Sequence, residues 1–288
     1  MHSNLDISGR TKLYCIIGMP AHHSLSPAIH NAWFKALGVD AVFLAFDVPK
    51  EGLRSAIEGM RTFSISGMTL TSPHKEEALK YVDKVDPFAL KLGAVNTIIN
   101  KSGELYGYNT DSLGFVKALS MFRGSESDTY TVIGAGGAGR AFVFGLLEFR
   151  KAKRINIVNR TLAHAKQLKS DAKRYFKNSE INAFELGSGS ADSAISESKF
   201  IINATNITLE NSSASPVNID ILKKGMIVFD ANYIPLKNKF LSDAAKHGCR
   251  TINGIELLVN QGIIAFRLFT DKNISYDVMR SAALKSLK

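Results

Sequence analysis

Tyr130-Thr131-Val132-Ile133-Gly134-Ala135-Gly136-Gly137-Ala138-Gly139-Arg140-Ala141-Phe142 decides the fold. A short β-branched and aromatic run enters it, glycines at 134, 136 and 139 form G-x-G-x-x-G, and Gly137–Phe149 reads as a helix leading away. Strand, glycine loop and helix in this order place free backbone N–H groups and the positive end of a helix at one spot, which suits a pyrophosphate. The glycines are needed because the turn is tight and the ligand approaches the backbone closely. Gly134, Gly136, Gly137, Ala138 and Gly139 are therefore expected to bind a dinucleotide. The next strand, Arg154–Val158, ends in Asn159-Arg160-Thr161, where an NAD site carries an acid for the ribose hydroxyls. An arginine instead pairs with a 2′-phosphate, so the expected cofactor is NADP(H), held by Asn159, Arg160 and Thr161.

Around this loop, short strand-like runs alternate with longer amphipathic segments, the pattern of βαβ units and parallel sheets. Downstream strands are expected at Phe200–Ala204, Met226–Asp230 and near Arg250; Gly187–Ser198 is small and polar. Upstream, a second sheet is expected from Leu13–Ile17, Val42–Asp47, Ile65–Thr71, Val95–Ile99 and Leu105–Tyr108, the last two joined through Ser102-Gly103. Pro27–Leu37 reads as a helix with Ser26 as its N-cap. A helix from Ser112 to about Phe122 and the polar stretch Arg123–Asp128 mark the passage between domains. Gly254–Thr270 and Tyr276–Leu287 read as helices that return to the first domain.

The 288 residues fit two domains, and 45% hydrophobic content is ample for their cores. No apolar run reaches the ~18 residues of a membrane span, and the N-terminus lacks a secretory signal, so a cytoplasmic protein without a membrane partner is expected. Cys15 and Cys249 form no metal-spaced pair, and no metal site or disulfide is expected. The net charge of +10 admits nucleic acid, acidic surfaces or small anions. Its densest run, Arg150–Arg154, lacks interleaved aromatics and reads as a solvated face, which argues against nucleic acid.

Four polar segments cluster at the ends of the first-domain strands: His23-Ser24-Leu25-Ser26-Pro27, Thr71-Ser72-Pro73-His74-Lys75, Gly93-Ala94-Val95-Asn96-Thr97 and Gly107-Tyr108-Asn109-Thr110-Asp111. Ligands of open α/β sheets sit beyond the carboxyl ends of strands, where such loops converge. They offer hydroxyls, an ammonium, an amide and a carboxylate. Reduction of a ketone by hydride needs a proton donor for the developing alkoxide, and an ammonium both donates and stabilises charge. His22, His23, His30 and His74 read as structural or surface residues, and Lys75 beside Glu76 and Glu77 would otherwise read as a surface ion pair.

In this order and spacing, the segments resemble the signature motifs of the shikimate dehydrogenase family: H-S-x-S-P, N-V-T-x-P-x-K, G-A-V-N-T and G-x-N-T-D-x-x-G, followed by G-A-G-G-A and N-R-T. The resemblance runs from about Tyr14 to Phe266. It implies an α/β protein of two domains: a substrate domain with a mostly parallel sheet, residues 1–111 plus 254–288, and a Rossmann NADP-binding domain, residues 112–253. It implies reversible NADPH-dependent reduction of 3-dehydroshikimate to shikimate, on the route to aromatic amino acids, by a monomer or homodimer. Carried over by position, Lys75 and Asp111 become the catalytic pair, Ser24 and Ser26 hold the carboxylate, and Thr71, Asn96 and Gln261 bind ring hydroxyls. Tyr233 joins the substrate site, and Ala204, Thr205 and Gly254 join the cofactor site. Preference for quinate or NAD, and a non-catalytic dinucleotide-binding relative, remain the alternatives. The chain departs from the pattern at Thr69 (usually Asn), Thr208 (usually Gly), His164 (often a second basic residue), and Phe269 and Asp271 (usually Trp and Gly).

Overall fold

A computed structural model describes residues 7–121 and 129–287, so Phe122 and the polar stretch Arg123–Asp128 lie outside the described residues. The chain divides into two compact units, Met1–Thr110 with Gln261–Lys288, and Asp111–Asn260.

The first unit carries β1 (Lys12–Gly18), α1 (Ser26–Ala36), β2 (Ala41–Asp47), α2 (Leu53–Thr62), β3 (Gly67–Leu70), β4 (Lys84–Val85), α3 (Pro87–Leu92), β5 (Thr97–Lys101) and β6 (Glu104–Tyr108). Its sheet runs β2-β1-β3-β5-β6-β4, parallel except that β5 is antiparallel to both neighbours. The β5–β6 hairpin turns at Ser102 and Gly103, both at positive φ (53° and 94°), the backbone that matches the right-handed twist of paired strands. One sheet face buries Cys15, Ile17, Met68 and Leu70 against Leu53, Ile57 and Met60. Burial pushes the Cys15 thiol up to about 12, as befits a small core hydrophobe.

Aromatic rings fill the opposite face. Tyr14, Trp33, Phe34, Phe43, Phe266 and Phe269 pack around His30, which stacks on Phe43 at 4.4 Å and is pushed down to about 3 by burial. His30 is therefore a neutral core residue. Gly67 admits the Phe269 ring, which would lie 2.4 Å from a β-carbon, and Tyr14 donates to the Phe269 carbonyl at 3.1 Å. The departure at Phe269 thus belongs to this core. At the sheet edge, the Asn31 amide accepts from the Phe43 N–H (2.7 Å) and donates to its carbonyl (2.8 Å), occupying the outward groups that an edge strand would present to another chain.

The second unit begins with α4 (Asp111–Leu119) and continues β7 (Thr129–Ile133), α5 (Gly137–Phe149), β8 (Arg154–Asn159), α6 (Leu162–Lys173), β9 (Glu180–Glu185), α7 (Gly189–Ser196), β10 (Phe200–Asn203), α8 (Ile207–Glu210), β11 (Ile227–Asp230), α9 (Lys239–Lys246) and β12 (Arg250–Asn253). All neighbours in its sheet, β12-β11-β10-β7-β8-β9, are parallel. Numbered from β7, this is the doubly wound order 3-2-1-4-5-6, with its switch point between β7 and β10. Phe115 stacks on Phe142 at 4.1 Å, and Phe229 meets both edge-on.

Two further helices, α10 (Ile255–Thr270) and α11 (Tyr276–Lys285), end the chain. The division between units falls inside α10, at Gln261, rather than at Gly254. No helix among the described residues is long and apolar enough to cross a membrane.

Candidate active site

In the first unit, the carboxyl ends of β1, β3 and β6 and the amino end of antiparallel β5 share one edge of the sheet, and each releases a polar segment there. After β1, Ser24 and Ser26 sit on a turn that Asp47 holds in place: its Oδ1 accepts the N–H groups of Ala21 (2.5 Å) and His22 (3.0 Å), and its Oδ2 meets His22 Nδ1 at 2.5 Å. The Ala21 N–H, then the His22 side chain, lower the Asp47 carboxyl below its ordinary range. Sequence reading missed Asp47, which lies at the end of β2, far from the motif it fixes. Ser26 is not the N-cap of α1. It is the first helical residue; its N–H donates to Ser24 Oγ, and Ser24 Oγ donates to Ser26 Oγ, both at 3.1 Å. The two hydroxyls therefore form a pair beside a helix amino terminus, a geometry suited to a carboxylate.

After β3, Thr71 donates its N–H to the Ile17 carbonyl (2.9 Å), and a β-carbon on Gly18 would come within 2.1 Å of Thr71 Cγ2. Glycine at 18 is what lets this segment close on β1. His74 is fully buried, its Nε2 2.8 Å from the Val48 carbonyl, and it anchors the segment so that half-buried Lys75 is presented beside it. The Lys75 carbonyl accepts the Val95 N–H at 2.8 Å, joining this loop to the one before β5. Thr69 turns its hydroxyl to the Cys15 carbonyl (3.4 Å) inside the sheet, so that departure is absorbed by strand packing.

Asn96 is almost fully buried. Its Oδ1 accepts from Thr110 N (2.8 Å) and Thr97 Oγ1 (3.0 Å), and its Nδ2 donates to Thr110 Oγ1 (3.1 Å). Thr110 Oγ1 also reaches Gln261 Oε1 at 3.4 Å. Thr110 thus ties Asn96 to Gln261; it is a further residue that sequence reading passed over, although it stands in the same G-x-N-T-D segment. Asp111 follows as the first residue of α4, near the positive end of that helix. Lys75 belongs to the first unit and Asp111 to the second.

The glycine loop of the second unit has the form that a pyrophosphate needs. Gly134 adopts φ +105°, and a β-carbon on Gly139 would sit 2.0 Å from the Gly134 carbonyl oxygen. Gly136 and Gly137 are exposed, and β-carbons on them would meet nothing within 4 Å, so their bareness leaves a hollow at the amino end of α5 rather than room for protein packing. The Asn159 amide shapes this loop: Oδ1 accepts the Ala135 N–H (3.0 Å) and Nδ2 donates to the Thr161 carbonyl (2.9 Å). Arg160, Thr161 and His164 are exposed at the amino end of α6, where Thr161 makes no side-chain capping bond.

Beyond β10, Ala204 and Thr205 lie against Gly134, whose added β-carbon would come 2.9 Å from Thr205 Cγ2 and 3.2 Å from the Ala204 carbonyl carbon. Thr205 donates its N–H (3.0 Å) and hydroxyl (2.7 Å) to Asn203 Oδ1. Gly254 allows close packing too, since a β-carbon there would fall 2.1 Å from the Ala231 carbonyl oxygen. Tyr233 follows β11, half-buried, with its phenol raised by burial.

Comparison with known proteins gives the family. Residues 16–98 match the shikimate dehydrogenase substrate binding domain, 117–230 the shikimate/quinate 5-dehydrogenase family, and 254–284 the shikimate 5′-dehydrogenase C-terminal domain. The chain is 39% identical to the shikimate dehydrogenase (NADP(+)) of Thermococcus kodakarensis, over 96% of this chain and 97% of that one. Shikimate 5-dehydrogenase from Listeria monocytogenes, solved with shikimate and NAD, is 32% identical with TM-score 0.89, covering 96% of this chain and 97% of that one. The enzyme from Thermus thermophilus, solved with NADP(H) and shikimate, is 33% identical with TM-score 0.85, covering 96% and 99% respectively. The ordered loops around one sheet edge, the glycine hollow and these full-length likenesses lead to one conclusion: the chain belongs to the shikimate dehydrogenase family.

Proposed function

We propose that the protein catalyses the reversible NADPH-dependent reduction of 3-dehydroshikimate to shikimate. The observation that carries this reading is the convergence, on one edge of the first unit's sheet, of the Ser24–Ser26 hydroxyl pair, Thr71, Lys75 and the Asn96–Thr110–Gln261 network. The set supplies hydroxyl donors for a carboxylate, neutral polar groups for ring hydroxyls and one ammonium, which together describe a small polyhydroxylated acid bearing a carbonyl. Ser24 and Ser26 take the carboxylate; Thr71, Asn96 and Gln261 fix the ring, with Tyr233 contributing from the loop after β11.

NADPH, held by Gly134–Gly139, Asn159–Thr161, Ala204, Thr205 and Gly254, supplies the hydride. Lys75 presents its Nζ proton to the carbonyl oxygen and stabilises the negative charge that grows there. Asp111, the first residue of α4, is the second member of the catalytic pair and accepts from the substrate hydroxyl. In the oxidation direction the same Nζ removes the hydroxyl proton, so Lys75 must first lose its own. On this reading the enzyme is cytoplasmic, takes no nucleic-acid or membrane partner, and works as a monomer or homodimer.

Steady-state kcat/KM for shikimate and for quinate, each with NADP and with NAD, tests the assignment. The highest value is expected for shikimate with NADP, and preference for quinate with NAD would overturn it. Cofactor choice has a separate check. Arg160 is exposed beside the amino end of α6 and is the cation assigned to the 2′-phosphate. Losing one charge-assisted contact costs about 1.5–3 kcal/mol, so Arg160→Ala is expected to weaken NADP binding by roughly ten- to a hundredfold while NAD binding stays within about twofold. Equal loss of both cofactors, measured by titration calorimetry, would reject the phosphate contact.

A further inference from the structure

The carboxylate of Asp230, at the carboxyl end of β11, is fully buried, and every group among the described residues that donates to it is neutral. Oδ1 accepts from Asn203 Nδ2 (3.1 Å) and from the backbone N–H of Asn232 (3.0 Å), with Asn232 Nδ2 also 3.0 Å away. Oδ2 accepts from Thr208 Oγ1 and Asn238 Nδ2, both at 2.7 Å. A buried carboxylate without a paired cation among the described residues needs such a full set of donors, because each missing bond leaves a buried lone pair unsatisfied. These donors come from three separate places: the end of β10, the short helix α8 and the loop 232–238 after β11.

Thr208 is where those places are tied together. Besides donating to Asp230, its hydroxyl accepts from Asn232 Nδ2 at 2.8 Å, and that same amide nitrogen lies 2.8 Å from the Thr205 carbonyl. The backbone of Thr205 is thereby held through Asn232, while its side chain is held through Asn203, which itself bonds Asp230. Ala204 and Thr205 in turn press on Gly134 at the switch point between β7 and β10. A dinucleotide whose pyrophosphate lies on the glycine loop and whose adenosine end lies toward Arg160, beyond β8, extends its other half over β10. The segment braced by Thr208 is the one this half meets. Where the family usually has glycine, this chain has a hydroxyl with two bonds.

We propose that Thr208 is a positioning residue for the nicotinamide half of the NADP(H) site, acting through Asn232 and Asp230 on Ala204 and Thr205. The inference rests on the reading of Ala204 and Thr205 as cofactor contacts. It predicts an effect confined to one end of the dinucleotide, which general loosening of the fold would not produce.

Thr208→Val keeps shape and removes the hydroxyl, whereas Thr208→Ser keeps the hydroxyl. Binding of NADPH and of adenosine 2′,5′-bisphosphate, which lacks the nicotinamide half, is measured on the full chain by titration. Thr208→Val is expected to weaken NADPH about tenfold, equivalent to ~1.4 kcal/mol, and to leave the bisphosphate within about twofold. Thr208→Ser is expected to bind NADPH within about threefold of the parent. NADPH binding unchanged in Thr208→Val, or equal weakening of both probes, would overturn the proposal. Should Thr208→Val fail to fold, Thr208→Gly carries the same expectations. The parent protein separates this from the proposed reaction: if it binds NADPH but does not oxidise shikimate, the reaction falls while the two-probe comparison still decides Thr208; if it binds neither probe, the cofactor site and this proposal fall together.

Discussion

Lys75→Ala is expected to lower kcat for shikimate oxidation by roughly a thousandfold, while KM for shikimate changes by less than about fivefold. Proton transfer and stabilisation of the alkoxide belong to the chemical step, so their loss falls on kcat. The carboxylate and ring contacts assigned to Ser24, Ser26, Thr71, Asn96 and Gln261 remain to bind the ground state. The backbone around Lys75 has its own supports: His74 is fully buried, with Nε2 2.8 Å from the Val48 carbonyl, and the Val95 N–H donates to the Lys75 carbonyl at 2.8 Å. Truncating the side chain leaves those supports in place, so the thermal midpoint is expected to shift little. A fall in kcat of less than tenfold would remove Lys75 from the chemistry. A large rise in KM with kcat preserved would reassign it to substrate binding.

The candidate site was legible in the sequence where its residues fall within one short pattern. G-x-G-x-x-G between a strand and a helix could be located because its glycines are close neighbours in sequence, and Arg160 because it directly follows the end of the next strand, Arg154–Asn159. Lys75 and Asn96 stood out in the same way, as polar residues in short motifs at strand ends. Less legible were groups whose partners lie far away in sequence. Asp47 terminates a half-exposed strand, and nothing nearby shows that it holds the Ser24–Ser26 turn. Thr110 is one hydroxyl among many until Asn96 and Gln261 come together on it. Asp230 and Thr208 are separated by 22 residues and meet only where α8 comes to the end of β11.

Secondary structure followed the same division. Strands with continuous apolar runs, such as Phe200–Asn203 and Ile227–Asp230, were readable because both faces are buried. The edge strand Glu180–Glu185 was missed because it buries only Ile181 fully and carries acids at both ends. The short helix Gly189–Ser196 hid in a serine-rich stretch; it is set by Ser188, whose Oγ accepts the Ala191 N–H at 3.2 Å. The N-cap assigned to Ser26 failed for a related reason. With two serines flanking Leu25, spacing alone does not decide which hydroxyl turns back on the backbone, and here Ser24 does so.

Two glycines of one loop are expected to respond differently to the same added methyl group. In Gly139→Ala the β-carbon would lie 2.0 Å from the Gly134 carbonyl oxygen and 2.8 Å from its carbon, both rigid backbone atoms. The loop must move, so both fold and ligand site suffer: overpacking of this kind costs about 1–3 kcal/mol, and NADPH affinity is expected to fall at least a hundredfold as the N–H groups leave their positions. In Gly136→Ala the β-carbon meets nothing within 4 Å, and φ is −81°, a value any residue adopts. Stability should therefore hold to within about 0.5 kcal/mol. Its methyl group enters the hollow at the amino end of α5, however, and a pyrophosphate seated there must retreat from the N–H groups that bind it. NADPH affinity is then expected to drop by roughly thirty- to a hundredfold without loss of stability, because charge-assisted bonds lengthen together. Urea melts and NADPH titration of the two variants read these effects separately. Full NADPH affinity in Gly136→Ala would mean that the pyrophosphate does not occupy the hollow, and the adenosine and nicotinamide assignments that extend from it on either side would fall with it.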